Sequence, residues 1–156
     1  MRILGVDPGY ERLGLAVLEK TKGKELLIYS ECFRTSPKKE FVDRLCEIGS
    51  RVADSIKKYK PDALAIENLF IEKNQKTAMR VSEVRGVILY EARCHNLRIA
   101  EYTPLQVKLA VTSYGKSDKK QVESMVRKLL ALDSVKKMDD EIDAIAIALT
   151  GSASLR

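Results

Sequence analysis

The sequence predicts an α/β fold, in which helices cover both faces of a mixed sheet. Short apolar, β-rich segments alternate with turn residues in the first part of the chain, and helical spacing of apolar residues dominates the later part. A hairpin followed by strand–helix–strand units implies both antiparallel and parallel pairs. The 156 residues contain no internal repeat and no Pro- or Gly-rich linker, so we expect one domain over residues 1–156.

Five apolar segments are the predicted strands, and they cover residues 2–6, 13–18, 26–34, 63–66 and 97–102. Turn residues Asp7-Pro8-Gly9 stop the first strand, and Pro61 precedes the fourth. Residues 20–24, with four polar residues and Gly23, are interpreted as the loop of a hairpin between the second and third strands.

The remaining apolar residues recur at helical spacing. Predicted helices cover about residues 38–58, about 75–96, and a segment that starts at Pro104, a residue suited to a first helical turn. Another helix carries Val122, Met125, Val126 and Leu129 on one face, and the last runs from about 139 to 152. Helices therefore follow most of the strands, as the α/β class requires.

The charge distribution favours a polyanionic partner. The net charge is +6 with a pI near 9.2, and residues 104–137 hold eight lysine and arginine residues against three acidic ones. A solvated helix face would have the same composition, so charge alone leaves nucleic-acid binding as one of two interpretations.

Cysteine usage and hydropathy indicate a cytoplasmic protein without a membrane partner. The three cysteines are an odd number and lack CxxC or CxxH spacing, which argues against a disulfide framework and a zinc site. The acid at Asp7 interrupts the opening apolar stretch, and no apolar run approaches the roughly 20 residues that cross a bilayer.

Acidic residues stand where an α/β sheet builds its sites. Asp7 and Glu67 each follow a predicted strand, and the carboxyl ends of neighbouring parallel strands open at the same edge of a sheet. Asp140 and Asp143 are three residues apart at the start of the last helix, so they share a face. A helix packed on that edge would add both acids to the pair.

Grouped carboxylates repel one another, and a hard divalent cation removes that repulsion. Such a site can hold two ions that activate water and stabilise the leaving oxygen in phosphodiester hydrolysis. The basic stretch would then bind a nucleic-acid backbone. Spacing and chemistry thus predict a metal-dependent nuclease.

Each acid also has a structural explanation. Asp7 before Pro-Gly is a good turn former, and Glu67 fits an ordinary charge at a strand end. The acids of residues 139–143 favour a helix N-terminus through its dipole. Asp139 and Glu141 are rivals for the ligand roles, although Glu141 is turned about 100° from Asp140 and Asp139 is predicted to cap the helix.

The chain resembles the RuvC family of bacterial Holliday-junction resolvases over nearly its whole length. The matching segments, in order, are Ile3-Leu4-Gly5-Val6-Asp7-Pro8-Gly9 with Gly14, Ala65-Ile66-Glu67 with Phe70 and Lys73-Asn74, Arg85-Gly86, Glu101-Tyr102-Thr103-Pro104 with Val107-Lys108, Lys119 with Gln121-Val122 and Met125-Val126, and Asp140-Glu141-Ile142-Asp143-Ala144-Ile145-Ala146. Each segment is weakly specific, and their order and spacing make the match.

The resemblance implies an RNase H-like fold and a homodimer. It implies magnesium-dependent nicking of two strands of like polarity at a four-way DNA junction, with two Mg²⁺ ions per active site or Mn²⁺ in their place. By motif match Asp7, Glu67, Asp140 and Asp143 are the catalytic metal ligands. Lys108 and Lys119 match family lysines associated with the scissile region, and Lys119 joins the catalytic set.

The resemblance also implies DNA contacts and protein partners. The predicted DNA-binding residues are Phe70, Lys73, Lys76, Lys108, Lys116 and Lys120. Phe70 matches a family aromatic beside the junction bases, although core packing would explain this residue equally well. Family dimers pair along the helix that begins near Gln75, which gives two-fold symmetry. A branch-migration complex of the Ruv system is the expected protein partner.

Three other functions stay open. Small RNase H-like nucleases of ribosomal RNA maturation share the Gly-x-Asp-x-Gly opening, although the segments around Phe70 and Lys108 argue against them. Sugar kinases and actin-like ATPases have a similar phosphate loop but usually need two such domains. A non-catalytic DNA-binding dimer is the third, and the presence of all four acids argues against it.

Overall fold

A computed structural model describes residues 1–68, 75–132 and 136–155, and within them the chain forms five strands and five helices. The strands are β1 (Arg2–Asp7), β2 (Arg12–Thr21), β3 (Lys24–Arg34), β4 (Ala63–Glu67) and β5 (Arg98–Tyr102). The helices are α1 (Phe41–Tyr59), α2 (Gln75–Cys94), α3 (Pro104–Thr112), α4 (Lys119–Leu129) and α5 (Asp139–Ser154). Among the described helices, none is long and apolar enough to cross a membrane.

The sheet has the strand order β3-β2-β1-β4-β5. The pairs β1–β2 and β2–β3 are antiparallel, whereas β1–β4 and β4–β5 are parallel. The predicted mixed sheet is therefore confirmed. Val6 pairs with Ile66 across the parallel β1–β4 pair, so the residues that follow them, Asp7 and Glu67, lie at the same edge.

Alternation along the strands sends successive side chains to opposite faces. Leu4 and Ile66 are fully buried beneath the face that α1 and α2 cover, together with Ile88 of α2. Ile3 and Ala65 belong to the core under α3, α4 and α5. Because both faces carry apolar side chains, the central strands are apolar throughout, which explains their nearly unbroken apolar sequences.

Two glycines let α5 lie directly against the sheet. A Cβ atom on Gly5 would stand 2.3 Å from the backbone oxygen of Ala144, and one on Gly14 would stand 2.1 Å from that of Asp140. Both distances are far below van der Waals contact, so the approach requires residues without side chains. It places the first turn of α5 at the carboxyl end of β1.

The predicted hairpin between the second and third strands is confirmed, but its loop is shorter than residues 20–24. Thr21 pairs with Lys24, so the turn is only the two residues Lys22 and Gly23, whose φ angles are 50° and 80°. Positive φ at both positions gives a turn whose twist matches that of the strands, which therefore extend further than apolar residues alone predict. The other elements differ from their predicted bounds by a few residues at their ends.

Candidate active site

A cavity of about 240 Å³ opens at the carboxyl ends of β1 and β4. Its acidic lining residues are Asp7 from β1, Glu67 from β4 and Asp143 from α5. Lys108 of α3 and Lys119 of α4 complete its charged lining. Five elements from distant parts of the sequence therefore bring three predicted carboxylates and two predicted lysines into one space.

Asp7 is the most perturbed acid of this cavity. Burial, followed by the charges of Asp143, Glu67 and Asp140, raises the pKa of Asp7 from 3.8 to about 7, and the charge of Lys119 acts in the opposite direction. The carboxylate is costly to ionise because it has lost water and faces like charges. An additional positive charge in the cavity would stabilise its ionised form.

The pKa values of the neighbouring acids Glu67 and Asp143 are raised as well. Burial and then the charge of Asp143 raise the pKa of Glu67, which the charge of Lys108 partly offsets. Burial also raises the pKa of Asp143, against the effect of its hydrogen bond and ion pair with Lys119. Perturbation of several carboxyls in one cleft is typical of functional sites.

Lys119 supplies the positive charge closest to these acids. Its Nζ lies 3.0 Å from Oδ2 of Asp143 and 3.6 Å from Oδ2 of Asp139. Although burial alone lowers the pKa of Lys119, these acids together with Asp7 give a net rise, so the ammonium stays charged. The capping box of α4, in which Asp118 accepts a hydrogen bond from the Gln121 amide, fixes the turn that carries this lysine.

Asp140 does not line the cavity, although its charge reaches Asp7. Its Oδ1 lies 3.5 Å from Nε of Arg12, and its Oδ2 accepts a hydrogen bond from Sγ of Cys32 at 3.6 Å. The sheet register explains this arrangement, since Gly14 pairs with Asp7 on one side and with Cys32 on the other. Sequence reasoning missed Arg12 and Cys32 because only the register brings them to α5.

The structure shows how Asp139 and Glu141, the rival candidates for the ligand roles, differ in position from Asp143. Asp139 has a side chain that is 72% exposed, and Glu141 points away from the cavity, where it accepts hydrogen bonds from Ser30 at 2.7 Å and Lys137 at 3.2 Å. The prediction that Asp139 caps the helix is wrong. Met138 is the N-cap residue, and its amide donates to the Glu141 carboxylate at 2.9 Å.

The donor set of the cavity suits a hard divalent cation. Asp7, Glu67 and Asp143 offer carboxylate oxygens, the ligands that Mg²⁺ and Mn²⁺ prefer. As the side chains of the described residues stand, no group of three His, Cys, Asp or Glu residues encloses an ion. The ammonium of Lys119 pairs with one of the three carboxylates instead. An ion in the cavity would offset the burial and the repulsion that together raise the pKa of Asp7.

The predicted DNA-binding residues fall into four groups. Lys108 lines the cavity, and Lys116 and Lys120 are exposed on the turn before α4 and on its first residues. Lys76 belongs to the first turn of α2, and its side chain lies outside the described part of the structure. Phe70 and Lys73 lie outside the described residues.

Arg85 of α2 contacts the residue that follows β4. Its guanidinium forms an ion pair with Glu101 of β5 and lies 3.5 Å from Oδ1 of Asn68, the residue after Glu67. The Asn68 amide donates to the carbonyl of Tyr102 at 2.8 Å. Nε of Arg85 is buried and makes no hydrogen bond with the residues that the structure describes. Arg85 therefore ties the end of β4 to β5 beside the acidic cavity.

Comparison with known proteins gives one consistent family. The model of the family described as "Crossover junction endodeoxyribonuclease RuvC" matches residues 3–151. A protein of that name from Halothermothrix orenii is 47% identical over 156 residues, which are 100% of this chain and 94% of the relative. Its counterpart from Fusobacterium nucleatum is 41% identical over 155 residues, which are 99% of this chain and 82% of that protein.

Solved structures agree with the sequence comparison. T. thermophilus RuvC in complex with a Holliday junction substrate is similar, with a TM-score of 0.91 and 33% identity, over 97% of this chain and 93% of that one. A yeast mitochondrial Holliday junction resolvase shares the fold, with a TM-score of 0.69 at 12% identity over 95% of this chain and 76% of that one.

Proposed function

Because this chain belongs to the RuvC family of crossover junction endodeoxyribonucleases, we propose that it resolves four-way (Holliday) DNA junctions by hydrolysing phosphodiester bonds. One observation carries the proposal beyond family membership. Asp7, Glu67 and Asp143 meet in one cavity that also contains Lys108 and Lys119. Carboxylates for a cation and lysines for a phosphate are what phosphodiester hydrolysis requires.

We propose that Asp7, Glu67, Asp140 and Asp143 hold divalent cations, Mg²⁺ or Mn²⁺, with two ions per active site. When bound, these ions would polarise the scissile phosphate and make a water more acidic. Asp140 is paired with Arg12, so a cation that binds Asp140 would compete with that guanidinium. The raised pKa of Asp7 means that loading also displaces a proton near neutral pH.

The two lysines of the cavity have separate roles in this proposal. Lys119 is positioned by its contact with Asp143 at 3.0 Å, close to where negative charge grows on the phosphate during hydrolysis. Burial raises the pKa of Glu67, and the charge of Lys108 partly offsets this rise, which favours the ionised carboxyl that a cation binds. Lys119 thus stabilises the transition state, whereas Lys108 maintains a ligand and contacts the DNA backbone.

The DNA would extend from the cavity over the lysine-rich turn before α4. Lys116 and Lys120 are exposed there and would neutralise backbone phosphates. We propose that Lys73, Lys76 and Phe70 also contact the junction DNA. A homodimer that pairs along α2 would present two active sites related by a two-fold axis, which suits symmetric nicks in two strands of like polarity.

The cellular setting forms a further part of the proposal. We propose a single RNase H-like nuclease domain over residues 1–156 that acts in recombination and repair in the cytoplasm. Its three cysteines are free thiols, as is typical of a reducing compartment. A branch-migration complex of the Ruv system would deliver the junction to the dimer.

A cleavage assay tests the proposal. The purified chain is incubated with Mg²⁺ and a four-way junction whose strands carry separate labels, and with a linear duplex and a folded RNA of matched sequence. We expect paired nicks in two junction strands of like polarity and little cleavage of the duplex. Asp7→Asn should abolish cleavage and retain junction binding, because a neutral amide is a poor cation ligand.

Each other result of this assay would overturn a defined part of the proposal. Equal cleavage of junction and duplex would remove junction specificity. Preferential cleavage of RNA would favour ribosomal RNA maturation instead. Junction binding without cleavage in any divalent cation would favour a non-catalytic DNA-binding dimer. A wild-type rate in Asp7→Asn would show that the cavity is not the active site.

A further inference from the structure

The turn between α3 and α4 is fixed by a network of short hydrogen bonds. Ser117, which is only 2% exposed, donates its hydroxyl to the carbonyl of Tyr114 at 2.7 Å, and its amide donates to the same carbonyl at 3.1 Å. The amide of Tyr114 donates to Oγ1 of Thr112 at 3.2 Å. The amide N–H and the carbonyl of Tyr114 are therefore both hydrogen-bonded to buried or half-buried side chains.

The ends of this turn are fixed as well. Ser113 has a φ of 60° and ends α3, and its amide donates to the carbonyl of Leu109 at 2.9 Å. A Cβ on Gly115 would stand 2.6 Å from Cδ1 of Leu105, so the turn packs closely on α3. The backbone around Tyr114 is thus a rigid part of the fold, unlike an ordinary exposed loop.

This rigid turn presents an aromatic ring to solvent. Tyr114 is 56% exposed, and its hydroxyl makes no hydrogen bond within the described part of the chain. Tyr114 borders an open recess, which Thr112 and Ser117 and the α4 residues Lys120, Gln121 and Met125 also line. The free face of the ring is a stacking surface without a partner among the residues that the structure describes.

The surroundings of the ring are basic. Lys116 is exposed two residues after Tyr114, and Lys119 and Lys120 begin α4. The acid of this segment, Asp118, is committed to the α4 capping box through its 2.8 Å contact with the Gln121 amide. The turn also joins the two helices that supply Lys108 and Lys119 to the cavity. Tyr114 therefore lies on the turn that joins the two helices carrying the cavity lysines, close in sequence to Lys116 and Lys120.

We infer that Tyr114 is a base-stacking contact for the DNA strand that enters the active site. Lysines that neutralise phosphates and an aromatic ring that receives a base are the two components of single-strand recognition. Bases inside an intact duplex are already stacked on both faces, so the ring would find a partner where stacking is interrupted, as at a branch point. This inference rests on the proposed function, to which it adds a residue that favours branched over linear DNA.

Binding measurements test this contact in the full-length chain. Affinities of Tyr114→Ala, Tyr114→Phe and wild type are measured without divalent cations, for a labelled four-way junction and for a linear duplex of the same sequence. Leu26→Ala, which removes a 54% exposed side chain from the edge strand β3, is the matched surface control. Thermal unfolding establishes that each variant is folded before binding is compared.

We expect Tyr114→Ala to weaken junction binding about tenfold, since the stacking of one base on an aromatic ring contributes on this order. Duplex affinity should change less than twofold, and Tyr114→Phe and Leu26→Ala should match wild type on both substrates. A 2-aminopurine placed at the branch point should lose fluorescence on binding wild type and Tyr114→Phe but not Tyr114→Ala.

Two results with Tyr114→Ala would overturn the stacking role of Tyr114. In one, Tyr114→Ala binds the junction as wild type does; in the other, it loses equal affinity for junction and duplex. A loss in Tyr114→Phe as large as that in Tyr114→Ala would assign the effect to the hydroxyl and also reject stacking. Wild-type protein that fails to prefer the junction would instead reject the proposed function, so the two failures are distinguishable.

Discussion

The ammonium group of Lys119 lies 3.0 Å from the carboxylate of Asp143 and links the start of α4 to the first turns of α5. This contact places a permanent cation among carboxylates that resist ionisation. It also positions a positive charge for a phosphate. The same lysine therefore affects both the protonation of the acids and the chemistry proposed for the cavity.

Replacement of Lys119 with Gln is expected to slow junction cleavage about a hundredfold, as is typical when a group that stabilises transition-state charge is removed. Lys119 lowers the pKa values of Asp7 and Asp143, so its loss should move the acidic limb of the pH–rate profile to higher pH. Single-turnover rates between about pH 5.5 and 9 measure both effects. Lys120→Gln, one residue along α4, should leave the profile in place, and an unshifted profile in Lys119→Gln would contradict the electrostatic role.

Asp7→Asn should make the metal-free protein more stable at neutral and higher pH. Since the folded state raises the pKa of Asp7 from 3.8 to about 7, it holds this proton more tightly than the unfolded chain does. The resulting stabilisation is complete below about pH 4 and is lost as the pH rises through about 7. At pH 8 the variant should therefore exceed wild type in free energy of unfolding, by at most about 4 kcal/mol.

Urea unfolding with a chelator at pH 4, 6 and 8 measures this difference. The advantage of Asp7→Asn should grow from pH 4 to pH 8, whereas Asp54→Asn, a change at an exposed position of α1, should follow the wild-type pH dependence. If the free energy of unfolding depends on pH in the same way in Asp7→Asn and wild type, folding does not raise the pKa of Asp7.

Gly14→Ala is expected to destabilise the fold and to impair cleavage together. The added Cβ would meet the backbone oxygen of Asp140 at 2.1 Å, which must push the start of α5 away from the sheet. Overpacking of this kind costs about 1–3 kcal/mol, and it would displace Asp140 and Asp143 from their positions beside Asp7. Thermal unfolding and cleavage rates at a temperature where the variant is folded measure the two effects.

Gly86→Ala is the matched control, because a Cβ there meets nothing within 4 Å. In the interior of α2 this change should raise stability by about 0.5–1 kcal/mol. Gly86 lies in the helix proposed to pair in the dimer, so size-exclusion chromatography should accompany both variants. Full activity in a folded Gly14→Ala protein would show that α5 need not approach the sheet so closely.

Arg12→Gln should tighten the binding of Mn²⁺ to the protein in the absence of DNA. The guanidinium lies 3.5 Å from Asp140 and competes with a cation for that carboxylate. Since the Arg12 side chain is 52% exposed and such ion pairs contribute only about 0.2–1 kcal/mol, we expect a gain of about two- to fivefold by calorimetry. Arg34→Gln, the cross-strand neighbour of Arg12, controls for the loss of nearby charge, and equal gains in both variants would reject specific competition.

Asp7 and Glu67 illustrate what the sequence alone reveals. Each follows an apolar segment of strand length, and the parallel pairing of β1 with β4 places both at one sheet edge, as the pattern predicts. The acids of α5 required the family resemblance, because helical spacing does not distinguish Asp143 from its acidic neighbours. Their separation depends on tertiary contacts of Glu141 with Ser30 and Lys137.

Arg12, Cys32 and Tyr114 lay beyond sequence reasoning for a different reason. Arg12 and Cys32 reach Asp140 through the register of two antiparallel strand pairs and the close approach of α5, and neither is encoded in local periodicity. Tyr114 stands in a short polar segment whose rigidity comes from the buried Ser117 hydroxyl. Residues whose roles depend on such contacts carry no local signal.

Helix α5 packs on β1 and β2 with no side chain between them at Gly5 and Gly14, and this contact limits which substitutions the protein can accept. Every amino acid other than glycine carries a Cβ, so Gly5 and Gly14 have no conservative replacement while Ala144 and Asp140 keep their places. Cavity residues such as Val107 or Ile147 have alternatives of similar volume. Evolutionary drift among descendants of this chain should therefore be slow even at these two positions, which contribute no side chain to the reaction.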